Sequence, residues 1–221
     1  MDGLKWVLDN HALAWPPITV VNLSLGRPGS LDDNPPLRSL VCLLHDAGVA
    51  VVVAAKNDPF SEVSQHVPAT YPEVIAVAST TAEAGSNQCR RVSFVAEADT
   101  ASYFTTDGEF DDETNAEPGN GVTVSAPDER LENINKGCRL TSQGILSTQL
   151  GGGTTRNSGT SMAAPHVAGI VARLVQQGQS DVEAIRGILR TSADMIGEAP
   201  KYSPSTAYTS DGEQEGVAQV P

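Results

Sequence analysis

Four largely apolar segments constrain the fold of this chain more than any other feature. They occupy residues 18–25, 49–55, 74–79 and 122–127, and a helical pattern separates the first two. A strand that is apolar along its whole length must be covered on both faces, and such strands are typical of parallel sheets lying between layers of helices. The segments therefore predict an α/β fold with a parallel sheet flanked by helices.

Amphipathic helices are predicted around these segments. The opening helix ends before the proline pair at positions 16 and 17, because proline cannot continue a helix. The members of its apolar face are Leu4, Val7, Leu8 and Trp15. A second helix begins at Asn34, followed by two prolines, and ends at Gly48.

Two further helices are predicted in the C-terminal part of the chain. The first covers residues 161–177, and the second covers 181–191, with Ser180 and Glu183 forming a capping box at its start. The sequence beyond is polar and rich in proline, serine and glycine. We therefore divide the chain into one domain, residues 1–197, and a polar C-terminal tail, residues 198–221.

Composition and charge exclude several classes of function. With 221 residues, of which 39% are hydrophobic and 19% charged, the chain is long enough to bury a sizeable core. The formal net charge of −13 argues against nucleic acid or an anionic membrane as a partner. No apolar stretch approaches the roughly 18 residues that suggest a membrane span, and the first 15 residues lack the layout of a signal peptide.

The segment NSGTSMAAPHVAG, residues 157–169, carries the clearest chemical signal. Its Gly-Thr-Ser turn leads directly into an apolar helix, which places the Ser161 hydroxyl at a helix N-terminus. Unpaired backbone N–H groups and the positive end of the helix dipole favour an oxyanion at that position. The segment resembles the active-site serine motif of the subtilase family of serine peptidases, and the resemblance implies that Ser161 is the catalytic nucleophile.

The resemblance extends over about residues 4–197. VVNLSLG, residues 20–26, resembles the subtilase strand whose Ser-Leu-Gly end pairs with extended substrate. VVVAAKND, residues 51–58, resembles the strand that leads to an Ala-Ala-Gly-Asn sequence, so Asn57 is the expected oxyanion donor. The substrate-binding residues implied in this way are Ser24, Leu25, Gly26, Ala55, Lys56 and Thr160.

Lys56 stands where the family usually has glycine. Its side chain either narrows the primary specificity pocket or turns to solvent, and it adds strain if that position needs a positive φ. Residues 128–143 resemble an insertion relative to compact subtilases, with no role assigned. Thr123 stands where some subtilases have a cation-binding carboxylate, so no metal and no cofactor are expected. The acidic stretch at 107–113 is interpreted as a solvated loop rather than a calcium loop.

The triad is incomplete in this sequence. In the family the catalytic Asp and His precede the Ser-Leu-Gly strand, and neither motif occurs in these residues. His166 belongs to the serine motif and is not the base, while His66 lies near the expected cleft without being expected to act as one. The resemblance implies a serine endopeptidase that works through an acyl-enzyme, with this chain alone inactive or nearly so. The alternatives are a non-catalytic peptide-binding pseudo-peptidase and a fragment with no independent role.

The resemblance to the subtilase family also implies what the chain binds. The substrate is a peptide or protein, and the strand at 18–23 would expose an apolar edge. We therefore expect the chain to pair with a missing N-terminal part of the domain or to self-associate. The sequence leaves undetermined whether Cys89 and Cys138 form a disulfide, because sequence alone does not give their Cα separation. Secretion is expected if the protein is like most of the family.

Overall fold

The computed structural model describes residues 1–106, 108, 121–195 and 215–220. A six-stranded sheet carries helices on both faces, and a short two-stranded sheet lies beside it. The elements are α1 Asp2–Asn10, β1 Val20–Leu23, β2 Arg27–Pro28, α2 Pro35–Asp46, β3 Ala50–Ala54, β4 His66–Val67, β5 Ile75–Thr81, β6 Val124–Ile134, β7 Leu140–Thr148, β8 Thr154–Asn157, α3 Thr160–Gln176 and α4 Val182–Thr191, with a 3₁₀ turn at Val63–Gln65.

The order of strands in the main sheet is β1-β3-β5-β6-β7-β8. The first four strands are parallel, which confirms the predicted parallel sheet. β7 and β8 are antiparallel additions that the sequence patterns did not indicate. β6 continues to Ile134, well past the predicted end at Pro127, because its second half pairs with β7. The segment at 128–143 is therefore part of a β-hairpin that extends the sheet.

Side chains along the parallel strands point alternately to the two faces of the sheet and pack in two separate hydrophobic cores. Val52, Ile75 and Val77 point to the face covered by α3 and α4. Val51 and Val53 point to the opposite face, which α2 and Leu4 of α1 cover. Because all of these side chains are buried, the near-continuous apolar runs are explained by burial on both faces.

Two predicted helix ends are wrong. α1 ends at Asn10, and Trp15 is 93% exposed, so this residue lies outside the helix and contributes nothing to its apolar face. The N-cap of α4 is Asp181, whose carboxylate accepts a hydrogen bond from the backbone N–H of Ala184 at 2.9 Å. Asp181 caps better than the predicted Ser180 because an anion also interacts favourably with the positive end of the helix dipole.

Long-range links complete the described structure. Cys89 and Cys138 form a disulfide with a Cα separation of 5.1 Å, which settles the open question of their pairing. Val217 is buried and bridges to Ser125 and Asp194. Residues 198–214 and 221 of the predicted tail, and the acidic stretch at 107–113 apart from Gly108, lie outside the described residues. Within the described ranges, no helix is long and apolar enough to cross a membrane.

Candidate active site

Two hydrogen bonds hold Ser161 beside the end of β1. The Ser161 hydroxyl donates to the backbone carbonyl of Ser24 at 3.3 Å, and the Ser24 hydroxyl donates to the backbone carbonyl of Ser161 at 2.8 Å. Ser161 is the second residue of α3, so its hydroxyl lies at a helix N-terminus, as the motif predicted. The strand end that resembles a substrate-binding edge and the proposed nucleophile are therefore adjacent.

The side chain of Asn57 is oriented by Thr160. Its Oδ1 accepts from the backbone N–H and from the hydroxyl of Thr160, both at 2.9 Å. With Oδ1 occupied in this way, the amide Nδ2 is left as the donor group, and it has no hydrogen-bond partner among the described residues. An exposed amide donor beside a serine hydroxyl is the arrangement required of an oxyanion-binding group.

These residues line one cleft of about 190 Å³. Its walls are Ser24, Leu25, Gly26, Ala54, Lys56, Asn57, Thr160 and Ser161. The structure thus brings together all but one of the site residues named from the sequence. The exception is Ala55, which is fully buried in the core, while its neighbour Ala54 lines the cleft. Alternation of side chains along an extended strand gives the physical reason, since neighbouring residues point to opposite faces.

Lys56 has a φ of +124°, a backbone conformation that favours glycine. Its N–H donates to the Thr160 hydroxyl at 3.3 Å, and its carbonyl accepts from the backbone N–H of Thr106 at 2.9 Å. These contacts on both sides of the residue hold the backbone in this conformation. Position 56 has the positive φ at which lysine was expected to add strain, so Lys56 strains the backbone here.

Replacement Lys56→Gly is expected to stabilise the protein by about 1 kcal/mol, because relief of a strained positive φ outweighs the added entropy of the unfolded chain. For a chain of this size, the melting temperature should rise by about 2 to 4 °C. Thermal unfolding followed by circular dichroism measures this change. Lys56→Ala is the matched control, since it removes the same side chain but keeps the Cβ atom. An alanine variant as stable as the glycine variant would show that φ is not the cause.

A buried carboxyl supports the turn that precedes Ser161. Asp128 is fully buried, and its Oδ2 accepts from the backbone N–H of Gly159 at 2.6 Å. Its Oδ1 accepts from the Ser102 hydroxyl at 2.9 Å. Burial, reinforced by the neighbouring charge of Glu129, raises the pKa of Asp128 to about 8. Sequence reasoning assigned no role to this residue, although an acid directly after a buried strand was a visible signal.

Two more buried carboxyls follow Asp128 on β6. Glu129 accepts a hydrogen bond from the Ser142 hydroxyl. The backbone N–H of Tyr103 donates to Glu132 at 2.9 Å, and burial together with the charge of Glu129 raises the pKa of Glu132 well above its usual range. Across the described residues, no group of three or more His, Cys, Asp or Glu side chains is arranged to hold a metal ion. Of the three carboxyls, Asp128 hydrogen-bonds directly to the turn that precedes Ser161.

None of the chain's 4 histidines, all of which are described, hydrogen-bonds to Ser161. His66 is buried, with its Nε2 3.9 Å from Asp58 Oδ2, and burial lowers its pKa. Nδ1 of His166 hydrogen-bonds to the carbonyl of Met162 in its own helix at 2.8 Å. The cleft thus combines a serine hydroxyl with an amide donor, and no histidine is among the described residues that line it.

The chain is similar in sequence to known proteins. The family model described as the subtilase family matches residues 4–218. The extracellular protease of Xanthomonas campestris pv. campestris is 37% identical over 186 residues, covering 79% of this chain and 24% of the relative. Subtilisin-like protease 7 of Trichophyton equinum is 26% identical over 210 residues, covering 95% of this chain and 41% of the relative.

The fold also matches a solved structure. The S41 psychrophilic protease superposes with a TM-score of 0.66 at 24% identity, covering 99% of this chain and 62% of that one. The chain spans less than half the length of the curated relatives cited above.

Proposed function

The chain belongs to the subtilase family, and on that premise we propose that it carries the nucleophile and the oxyanion-binding groups of a serine endopeptidase. One observation carries the proposal: the Ser161 hydroxyl, the free amide of Asn57 and the strand end at Ser24 line the same cleft. Each of these groups has a distinct part in acyl transfer.

In the proposed reaction, a substrate peptide lies extended along Ser24, Leu25 and Gly26. Ser161 Oγ attacks the scissile carbonyl carbon, and the hydroxyl proton passes to a base as the C–O bond forms. Asn57 Nδ2 and the backbone N–H of Ser161 stabilise the negative oxygen of the tetrahedral intermediate. The amine product then leaves with a proton, and water hydrolyses the acyl-enzyme by the same steps.

In this proposal the base comes from another polypeptide segment, because no histidine of this chain hydrogen-bonds to Ser161. We therefore propose that the chain alone hydrolyses peptides too slowly for ordinary assays. Without a base, the oxyanion-binding groups still give about 10³ to 10⁴ over the uncatalysed rate in subtilisin, which is far below normal turnover.

The second candidate is a peptide-binding protein without chemistry. The observation that favours it is the hydrogen bond from the Ser161 hydroxyl to the Ser24 carbonyl, which directs the proton away from any histidine. In this case the cleft and the strand end bind peptide, and no covalent step follows.

A complementation assay separates the two functions. The purified chain is assayed on casein alone and after co-expression with the N-terminal half of a subtilase domain that carries the catalytic Asp and His. Endopeptidase function predicts activity only in the complemented sample, with loss on Ser161→Ala. Peptide binding without cleavage in a stable complex would support the second candidate instead. Efficient cleavage by the chain alone, abolished by Ser161→Ala, would overturn the proposed inactivity, and His66→Ala would then identify the base.

The same samples test the proposed partner. Among the described residues, β1 pairs with β3 alone and lies at the edge of the main sheet. Its open edge bears none of the lysines or prolines that protect natural edge strands. We propose that a complementing polypeptide or a second copy adds a strand there, and light scattering after size exclusion measures the resulting mass. A soluble monomer in both samples would contradict this part of the proposal.

We also propose that the protein works outside the reducing cytosol. The Cys89–Cys138 disulfide supports this location, because such bonds persist in oxidising compartments. The name of the Xanthomonas relative describes an extracellular protease, which agrees with it.

A further inference from the structure

A cluster of positive charge stands apart from the acidic character of this chain. Residues 84–96 contain Arg90 and Arg91 but no acidic residue, and residues 133–148 contain Lys136 and Arg139 but no acidic residue. The whole chain has a formal net charge of −13, so these two segments depart sharply from the average.

Tertiary structure brings the two segments into contact. The Cys89–Cys138 disulfide joins them, with a Cα separation of 5.1 Å. Beside it, the backbone N–H of Gln88 donates to the carbonyl of Ile134 at 2.8 Å, and the N–H of Ile134 donates to the carbonyl of Ser86 at 2.8 Å. The disulfide and the backbone hydrogen bonds therefore hold the backbones of the two basic segments together.

A cleft of about 640 Å³ lies at this junction. The residues lining it are Gln88, Arg90, Arg91, Lys136, Gly137 and Cys138. Five of these six residues are exposed, so the cleft is open to solvent. The cleft is separate from the serine site, with which it shares no lining residue.

The three cations of this cleft have no acidic partner in the described part of the chain. Five other basic residues there do form ion pairs, namely Lys5, Arg27, Arg38, Arg130 and Arg186. Like charges held together without counter-charge repel one another, and a bound anion relieves that repulsion. Two guanidinium groups also offer planar pairs of N–H donors that match the oxygens of a phosphate.

We infer that this open cleft binds a small molecule carrying a dianionic phosphate group. Three positive charges favour a dianion over a monoanion because each added negative charge interacts with all three. The disulfide maintains the site by holding Arg90 and Arg91 next to Lys136. This inference is independent of peptidase function, since it involves neither Ser161 nor Asn57.

Calorimetric titration of the full chain tests the site with three probes at constant ionic strength and pH 8: glucose 6-phosphate, glucose 6-sulfate and glucose. The phosphate ester is expected to bind more tightly than the sulfate ester, and glucose is expected not to bind. Arg90→Gln, Arg91→Gln and Lys136→Gln should each weaken phosphate binding about threefold, and the triple variant about 30-fold. Arg173→Gln is the matched control, because it removes one exposed positive charge elsewhere and should leave affinity unchanged.

The disulfide gives an independent check. A Cys89→Ser, Cys138→Ser double variant that still unfolds cooperatively should bind the phosphate ester more weakly than the parent chain. Equal binding of the two esters would overturn the preference for a dianion. Equal affinity of the triple variant and the Arg173→Gln control would overturn the site itself.

Discussion

Replacement Gly159→Ala is expected to lower the free energy of unfolding by about 3 kcal/mol and to displace Asn57. Gly159 has a φ of +137°, and a Cβ atom there would lie 2.6 Å from Asn57 Nδ2. The amide must move to avoid this contact, which breaks its hydrogen bonds to Thr160. The backbone cost of a side chain at positive φ, about 1 to 2 kcal/mol, adds to the loss of those bonds.

Gly153→Ala is the matched control for this prediction. Gly153 also has a positive φ, +85°, but a Cβ atom there would meet nothing within 4 Å. Replacement Gly153→Ala should lower the free energy of unfolding by about 1 to 2 kcal/mol, which is the backbone cost of a side chain at positive φ alone. Urea unfolding of both variants measures the difference. Equal destabilisation would show that the contact with Asn57 contributes nothing.

The stability contributed by the buried carboxyls is expected to decrease as pH rises from about 4 to 8. The pKa of Asp128 is about 8 in the folded protein and has a reference value of 3.8. Between these two values, the folded chain keeps a proton that the unfolded chain has released. Rising pH therefore favours unfolding, with a slope of about 1.4 kcal/mol per pH unit for this group. Below the reference value, both states are protonated and the contribution is fully present.

Asp128→Asn should remove this part of the pH dependence. The asparagine amide stays neutral, and its oxygen still accepts from the backbone N–H of Gly159. The variant should equal the parent chain near pH 4 and exceed it by several kcal/mol at pH 8, as judged by urea unfolding at each pH. Asp32→Asn, which changes an exposed carboxyl, is the control. Parallel curves for the parent chain and Asp128→Asn would contradict a protonated Asp128 in the folded state. Glu132→Gln extends the test, because burial also raises the pKa of Glu132.

The buried carboxyls show where sequence reasoning stopped. Asp128, Glu129 and Glu132 are acids in a segment that resembled an insertion. Asp128 directly follows a buried strand, but nothing local marks Glu129 and Glu132 as buried. Their burial depends on β7 and on residues near Ser102, which pack against β6. The pKa of Asp128 therefore results from contacts made across the fold.

Local patterns were sufficient for the main elements. The apolar run at 49–55 predicted β3, Asn34 and its prolines predicted the start of α2, and the serine motif placed Ser161 at the start of α3. Each of these features depends on side chains within one strand or one helical turn, where periodicity and capping act. The order of the strands along the chain, together with the family resemblance, then indicated which strand ends would lie next to one another.

The sequence by itself thus determined the parallel sheet, the helix that carries Ser161 and the candidate nucleophile. Only the tertiary structure decided the Cys89–Cys138 pairing, the positive φ of Lys56 and the orientation of the Asn57 amide by Thr160. Helix and strand formation is favoured by interactions between near neighbours in the chain. The other features require atoms from residues far apart in sequence to be within bonding distance, and that proximity exists only after the strands have assembled into one sheet.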